Sequence, residues 1–126
     1  MADIHSNIGP VTAITPAVIT ATTTGNGLDL AGYATASLVI STGAIVASGN
    51  FTAKLQESDS QGSGFVDVPA AGLIGTFPAV LAADSVVKVG YLMNRRYVRC
   101  VVTLNSGTSI ALAAVLVRGN PQTAPV

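Results

Sequence analysis

Short runs of alternating apolar and polar residues, cut apart by turn-forming segments, constrain this chain more than any other feature. In Thr35 to Thr42, Ala36, Leu38 and Ile40 point one way while Thr35, Ser37 and Ser41 point the other. Phe51, Ala53 and Leu55 share a face against Thr52, Lys54 and Gln56. Val87, Val89 and Tyr91 oppose Lys88, and Val98, Cys100, Val102 and Leu104 oppose Arg99 and Thr103. A period of two is the signature of a half-buried strand. Phe65 to Val68 predicts a further short strand. Ile110 to Val117 is apolar on both faces, which predicts a strand that is either central or covered by a partner. Ser48-Gly49-Asn50 and Ser60-Gln61-Gly62-Ser63-Gly64 separate strands, and Asn94-Arg95 and Asn105-Ser106-Gly107 are short enough for hairpins. Helix-like patches are confined to Pro69 to Leu73 and Ala79 to Ala83. The pattern predicts an all-β fold, an antiparallel β-sandwich of jelly-roll or immunoglobulin-like type.

One domain is the expectation for 126 residues. Pro10 and Pro16 break helix and push the residues before them toward extended backbone. Residues 1–16 therefore read as an extended N-terminal arm, 17–119 as the sandwich, and 120–126 as a flexible C-terminal tail. Val11, Ile14, Val18 and Ile19 are β-branched and suit an edge strand or a neighbour's surface. On this division, deleting the first 15 residues leaves the sandwich folded.

Charge is scarce. Six basic and six acidic residues cancel, and only 10% of the chain is charged, against roughly a quarter in an ordinary soluble domain. Few cations and no net charge argue against a nucleic-acid partner held by phosphate contacts. A monomer this short of charge is poorly protected from association, so either a membrane or other protein should cover part of it. Leu30 to Ala53 and Cys100 to Val117 are uncharged and long enough to span a bilayer, but turn residues interrupt both. Three Phe and three Tyr cannot build the two aromatic girdles of a membrane barrel. Met1-Ala2-Asp3-Ile4-His5 lacks the basic and apolar regions of a signal peptide. The expectation is no membrane partner, synthesis in the cytoplasm, and a thiol that stays reduced.

Residues that could carry chemistry are few and scattered. His5 is the lone histidine, with only Asp3 as a nearby co-ligand, so a metal site is not expected. Cys100 alternates with valines and reads as a packed thiol. Glu57-Ser58-Asp59 with Asp67 lacks calcium-loop spacing and reads as a polar loop. Arg95, Arg96 and Arg99 with Tyr91 and Tyr97 form the one charge cluster, suited to an ion pair or a protein contact. Asn50-Phe51-Thr52 matches a glycosylation triplet without a secretion signal beside it. No phosphate loop, nucleophile elbow or triad is present, so neither catalysis nor a cofactor is expected.

One block goes beyond a generic β protein. It runs from Gly49 to Asp59 through Phe65-Val66-Asp67-Val68 and Gly72-Leu73-Ile74-Gly75, and ends in Val89-Gly90-Tyr91 and Arg96 to Val102. It resembles a family of small proteins from the head-morphogenesis region of tailed bacteriophages and prophages, read as head decoration, or capsid cement, proteins. The resemblance covers about residues 35 to 119. The family pattern commonly has an acidic pair before the loop glycine; here Ser60-Gln61 follows Asp59, which weakens the inference of a shared metal site. Glu57-Ser58-Asp59 with Phe65 to Val68 is also similar to a strand-turn-strand of discoidin-like carbohydrate-binding jelly rolls. The first resemblance implies a structural protein on the capsid exterior. Its partners are the major capsid protein and further copies of itself, as a homotrimer. On that reading the contact residues are Ile4, Ile8, Val11, Ile14, Val18 and Ile19 in the arm, and Arg95, Arg96, Tyr97 and Arg99. The competing expectations are a virion-displayed glycan or receptor binder using Tyr91, Tyr97 and the arginines, and a tail structural component.

Overall fold

The alternating runs become pleated strands. The computed structural model describes residues 5–121. Its strands are β1 (Ile8–Ile19), β2 (Thr23–Thr24), β3 (Leu28–Asp29), β4 (Tyr33–Val46), β5 (Asn50–Ser58), β6 (Val66–Asp67), β7 (Leu73–Ile74), β8 (Val86–Tyr91), β9 (Tyr97–Ser106) and β10 (Ser109–Pro121). Helical backbone among the described residues is limited to 3₁₀ turns at His5–Asn7 and Ala70–Gly72. The patch expected at Ala79 to Ala83 is irregular loop.

Two antiparallel sheets form the sandwich. The first has the order β1-β10-β4-β8-β7, and the second β2-β9-β5-β6, with β3 also on β9. The immunoglobulin arrangement pairs its first two strands. Here β1 pairs with β10 instead, Ile8 opposite Gly119. The β4–β5, β8–β9 and β9–β10 connections each pass from one sheet to the other. This is the jelly-roll order, which decides between the two expected sandwiches. It also corrects the turns. Asn94-Arg95 and Asn105-Ser106-Gly107 do not close hairpins; they are corners between sheets. Gly107 has φ +81°, and a Cβ there would strike the Ser48 carbonyl, so this corner packs against the one at Ala47 to Gly49.

The boundary expected after residue 16 falls in the middle of β1, which is twelve residues long. Ala13 and Ile14 lie in the core, so the second half of the expected arm is sandwich. Prolines conceal this in the sequence. Pro10 and Pro16 fit because β1 is an edge strand, with β10 on one side only. β10 extends to Pro121, past the expected start of the tail, and residues 122–126 lie outside the described part.

The core takes one face of each strand. Leu38 and Ile40 from β4, Phe51 and Leu55 from β5, Val98 and Val102 from β9, and Ile110 and Leu116 from β10 are all but sealed from solvent. The loop from Gly75 to Ser85 closes one side. Leu81 N–H donates to the Phe51 carbonyl at 2.9 Å, and the Thr42 hydroxyl donates to Ala82 O at 2.6 Å while accepting from Ser85 N–H at 2.9 Å.

Candidate interaction surface

The outer face of the first sheet is built on β10. Ile110, Leu112, Ala114 and Leu116 point into the core, and the residues between them, Ala111, Ala113, Val115 and Val117, point outward. The run that looked apolar on both faces is thus central in its sheet, between β1 and β4. Register sets its neighbours. Thr12 and Val39 flank Val115, Pro10 and Ser37 flank Val117, and Val18 lies opposite Ala111. One strand further, Lys88 lies beside Val39 and Val86 beside Ser41. Val18 is 64% exposed and Val86 71%. Lys88 is the one charged residue on this face among the described residues. A shallow groove of about 410 Å³ runs across it between Pro16, Val18, Ser41, Gly43 and Ala113.

The free edge of β1 is less inviting than the face. A proline has no N–H to offer, and register shifts interrupt the β1–β10 pairing between Thr12 and Ile14 and between Ile14 and Ala17. Prolines and bulges on an edge strand oppose the addition of another strand.

Apart from Lys88 and Asp84, which borders β4 and β8, the described charges collect on the second sheet and at one end of the sandwich, where they are spent on internal pairs. On the second sheet, Lys54 Nζ meets Asp67 at 3.0 Å, and Gln56 Nε2 donates to the same carboxylate at 2.9 Å. The Gln56 and Lys54 hydrogen bonds hold Asp67 below the usual carboxylate range. Arg99 Nε donates to Gln56 Oε1 at 2.7 Å, and its guanidinium lies 4.3 Å above the Phe65 ring. At the loop end, Arg96 grips Asp29 through two bonds of 2.9 Å. That fork, against the opposing effect of burial, brings the Asp29 pKa down to about 2. Arg118 ties three strands. Its Nε donates to Gly9 O at 2.8 Å and its Nη1 to Asp29 O at 3.0 Å, while its guanidinium stacks on Tyr33 at 4.5 Å.

Beneath the loop end sits a buried polar triad. The Tyr91 hydroxyl donates to Glu57 Oε1 at 2.6 Å and accepts from the Arg95 backbone N–H at 2.9 Å. Burial, and then the Glu57 carboxylate, push the Tyr91 phenol above its ordinary range. Arg95 reaches Glu57 at 3.9 Å and Asp59 at 3.8 Å. With Asn94, Arg96 and the Leu30 to Ala34 turn, it lines a cleft of about 410 Å³.

The expected contact residues divide. Ile14 and Ile19 are 5% exposed and belong to the core, so neither can meet a partner. Ile8 and Val11 are half-buried in β1, with Val11 packed on the core, and Val18 is exposed on the outer face. Ile4 lies outside the described residues. Arg95 and Arg96 stand together at the cleft, and Arg96 covers the Tyr97 ring at 5.1 Å. Arg99 is on the outer face of the second sheet, apart from them. Val115 and Val117 belong to the run whose two apolar faces already allowed a covering partner; Val39 and Val86, on β4 and β8, were not expected there and join them only through strand pairing. Burial lifts the Cys100 thiol to about 12, as expected of a packed cysteine. Among the described residues no group of three or more His, Cys, Asp or Glu could hold a metal ion, and no helix is long and apolar enough to cross a membrane.

No family profile and no curated protein matches the chain. Solved structures do. A chain from the disulfide-linked pili that form Bacillus endospore appendages shares 11% identity over 96% of this chain and 95% of that one, with a TM-score of 0.51. A chain of infectious bursal disease virus, Gx strain, gives 12% identity and a TM-score of 0.47; the match covers 94% of this chain and 33% of the viral one. PirA gives 14% identity and 0.43, covering 95% and 97%. The pilus likeness shows the fold, an all-β sandwich; at TM-scores under 0.5 the other two add nothing to it.

Proposed function

We propose that this chain is a non-catalytic structural subunit of a virion, a decoration protein on the outside of a phage head. The observation that carries the reading is the segregation of charge. One sheet presents an outer face with a single cation, while the other charges, apart from Asp84 in the loop before β8, gather on the second sheet and at one loop end. A lattice-bound oligomer needs both kinds of surface: an uncharged face that other protein covers, and a polar end that fixes orientation on the lattice. The block that resembles head decoration proteins supports the same reading. It supplies β9, β5 and β6 of the second sheet and β8 and β7 of the first. On this proposal the Arg95–Arg96 cleft docks on the major capsid protein, and repetition over the lattice turns modest single-site affinity into avidity.

A displayed glycan binder is the weaker reading. Tyr91 is 2% exposed with its hydroxyl committed to Glu57, so it offers no ring for a sugar to stack on. The test is co-sedimentation of the purified chain with expanded, empty heads, followed by image reconstruction. Density at regular lattice positions is expected. Failure to bind, or assembly into tail-like rings, would defeat the proposal.

A further inference from the structure

We infer that the outer face of the first sheet is covered by a second copy of this chain. The inference rests on the structural-subunit reading and names the partner of its uncharged face. Composition points to a copy. A strongly charged partner would leave its charges unpaired against Val39, Val115 and Val117. The same face on another copy brings no such penalty, and Lys88, on β8 toward the sheet margin, can keep its ammonium in water.

Size and relief agree with this occupant. Three strands over the nine positions at which β1 pairs β10, with β8 beside them at six, present roughly 500 Å² of projected sheet. A stable interface buries roughly 800 Å² per partner, so a copy must cover the face nearly whole. Beside the central Val115 and Val39, Ala113 and Ser41 carry small side chains, so a second sheet can approach and interdigitate. The bulged, proline-bearing edge of β1 opposes strand addition, so the contact is made by the face.

The test is the mass of the full chain in solution, by sedimentation at micromolar concentration. Three variants accompany it: Val115→Glu at the centre of the face, Val86→Lys toward its margin, and Thr103→Glu on the outer face of the second sheet. Thermal melting confirms that each is folded. A wild-type oligomer is expected. Val115→Glu should weaken association roughly a hundredfold, Val86→Lys by roughly tenfold, and Thr103→Glu not at all. If Val115→Glu does not fold, the exposed Val86→Lys variant decides. A monomeric wild type overturns the inference. So does a folded Val115→Glu that still associates, equal loss with Thr103→Glu, or capture of the monomer by uncharged lipid vesicles. Head binding is scored separately. An oligomer that ignores heads removes the decoration reading and keeps the inference; a wild-type monomer that decorates heads does the reverse.

Discussion

Tyr91 shows how a single side chain can hold two sheets in register. Its strand is in the first sheet, and its hydroxyl bridges to Glu57 in the second and to the Arg95 backbone in the corner between them. Tyr91→Phe leaves a buried carboxylate without its short hydrogen bond, so a loss of about 2–3 kcal/mol is expected in urea denaturation. In a Glu57→Gln background the same change should cost clearly less, because the charged acceptor is gone. Equal losses in both backgrounds would mean that the charge on the acceptor contributes nothing to the bond. Asp29 makes a different prediction. Its pKa is depressed to about 2 by Arg96, so the pair is intact above the ordinary carboxylate range and breaks as pH falls from about 4 through about 2. Both partners are partly solvated, so the effect belongs in a titration more than in a melting curve. The Asp29 carboxyl signal should titrate near 2 by NMR, and Arg96→Ala should raise it toward the ordinary range, with the Ala31 N–H and Arg118 still lowering it. A midpoint unmoved by Arg96→Ala would show that the fork does not set it.

At the scale of the strand, β4, β5 and β9 were legible because each buries one face and exposes the other. Ala36, Leu38 and Ile40, Phe51, Ala53 and Leu55, and Val98, Cys100 and Val102 are all buried, as their alternation required. β1 was not legible. Its prolines read as an arm, and they are tolerated because only one side of the strand is paired. Nor could the sequence show which arginine meets which acid. Asp29 lies 67 positions before Arg96, and the fork exists only once β3 lies along β9. The membership of β1 reverses one expectation. Deleting the first 15 residues removes Ala13 and Ile14 from the core and bares much of β10. Burial of Ile14 alone is worth about 2–5 kcal/mol against alanine, so the truncated chain should lose its cooperative thermal transition. A truncated protein that melts like the full chain would show that β1 is dispensable.

For the whole molecule, topology and charge distribution pull toward the same behaviour. β1 and β10 join the two ends of the described chain, so the first sheet cannot close until nearly all of it is present. The face that this closure completes is the one almost without charge. Contacts made there are expected to ignore ionic strength, because at about 1 M salt, where the screening length is roughly 3 Å, an uncharged surface has no field to lose. Sulfate should tighten them by strengthening apolar burial. Docking on heads through the Arg95–Arg96 cleft should weaken over the same salt range, since its groups are exposed enough to be screened. Sedimentation of the isolated chain and co-sedimentation with heads, run across one sodium chloride series, separate the two. Self-association that collapses in step with docking would mean that charged groups hold the copies together, and the contact would have to be sought on the second sheet.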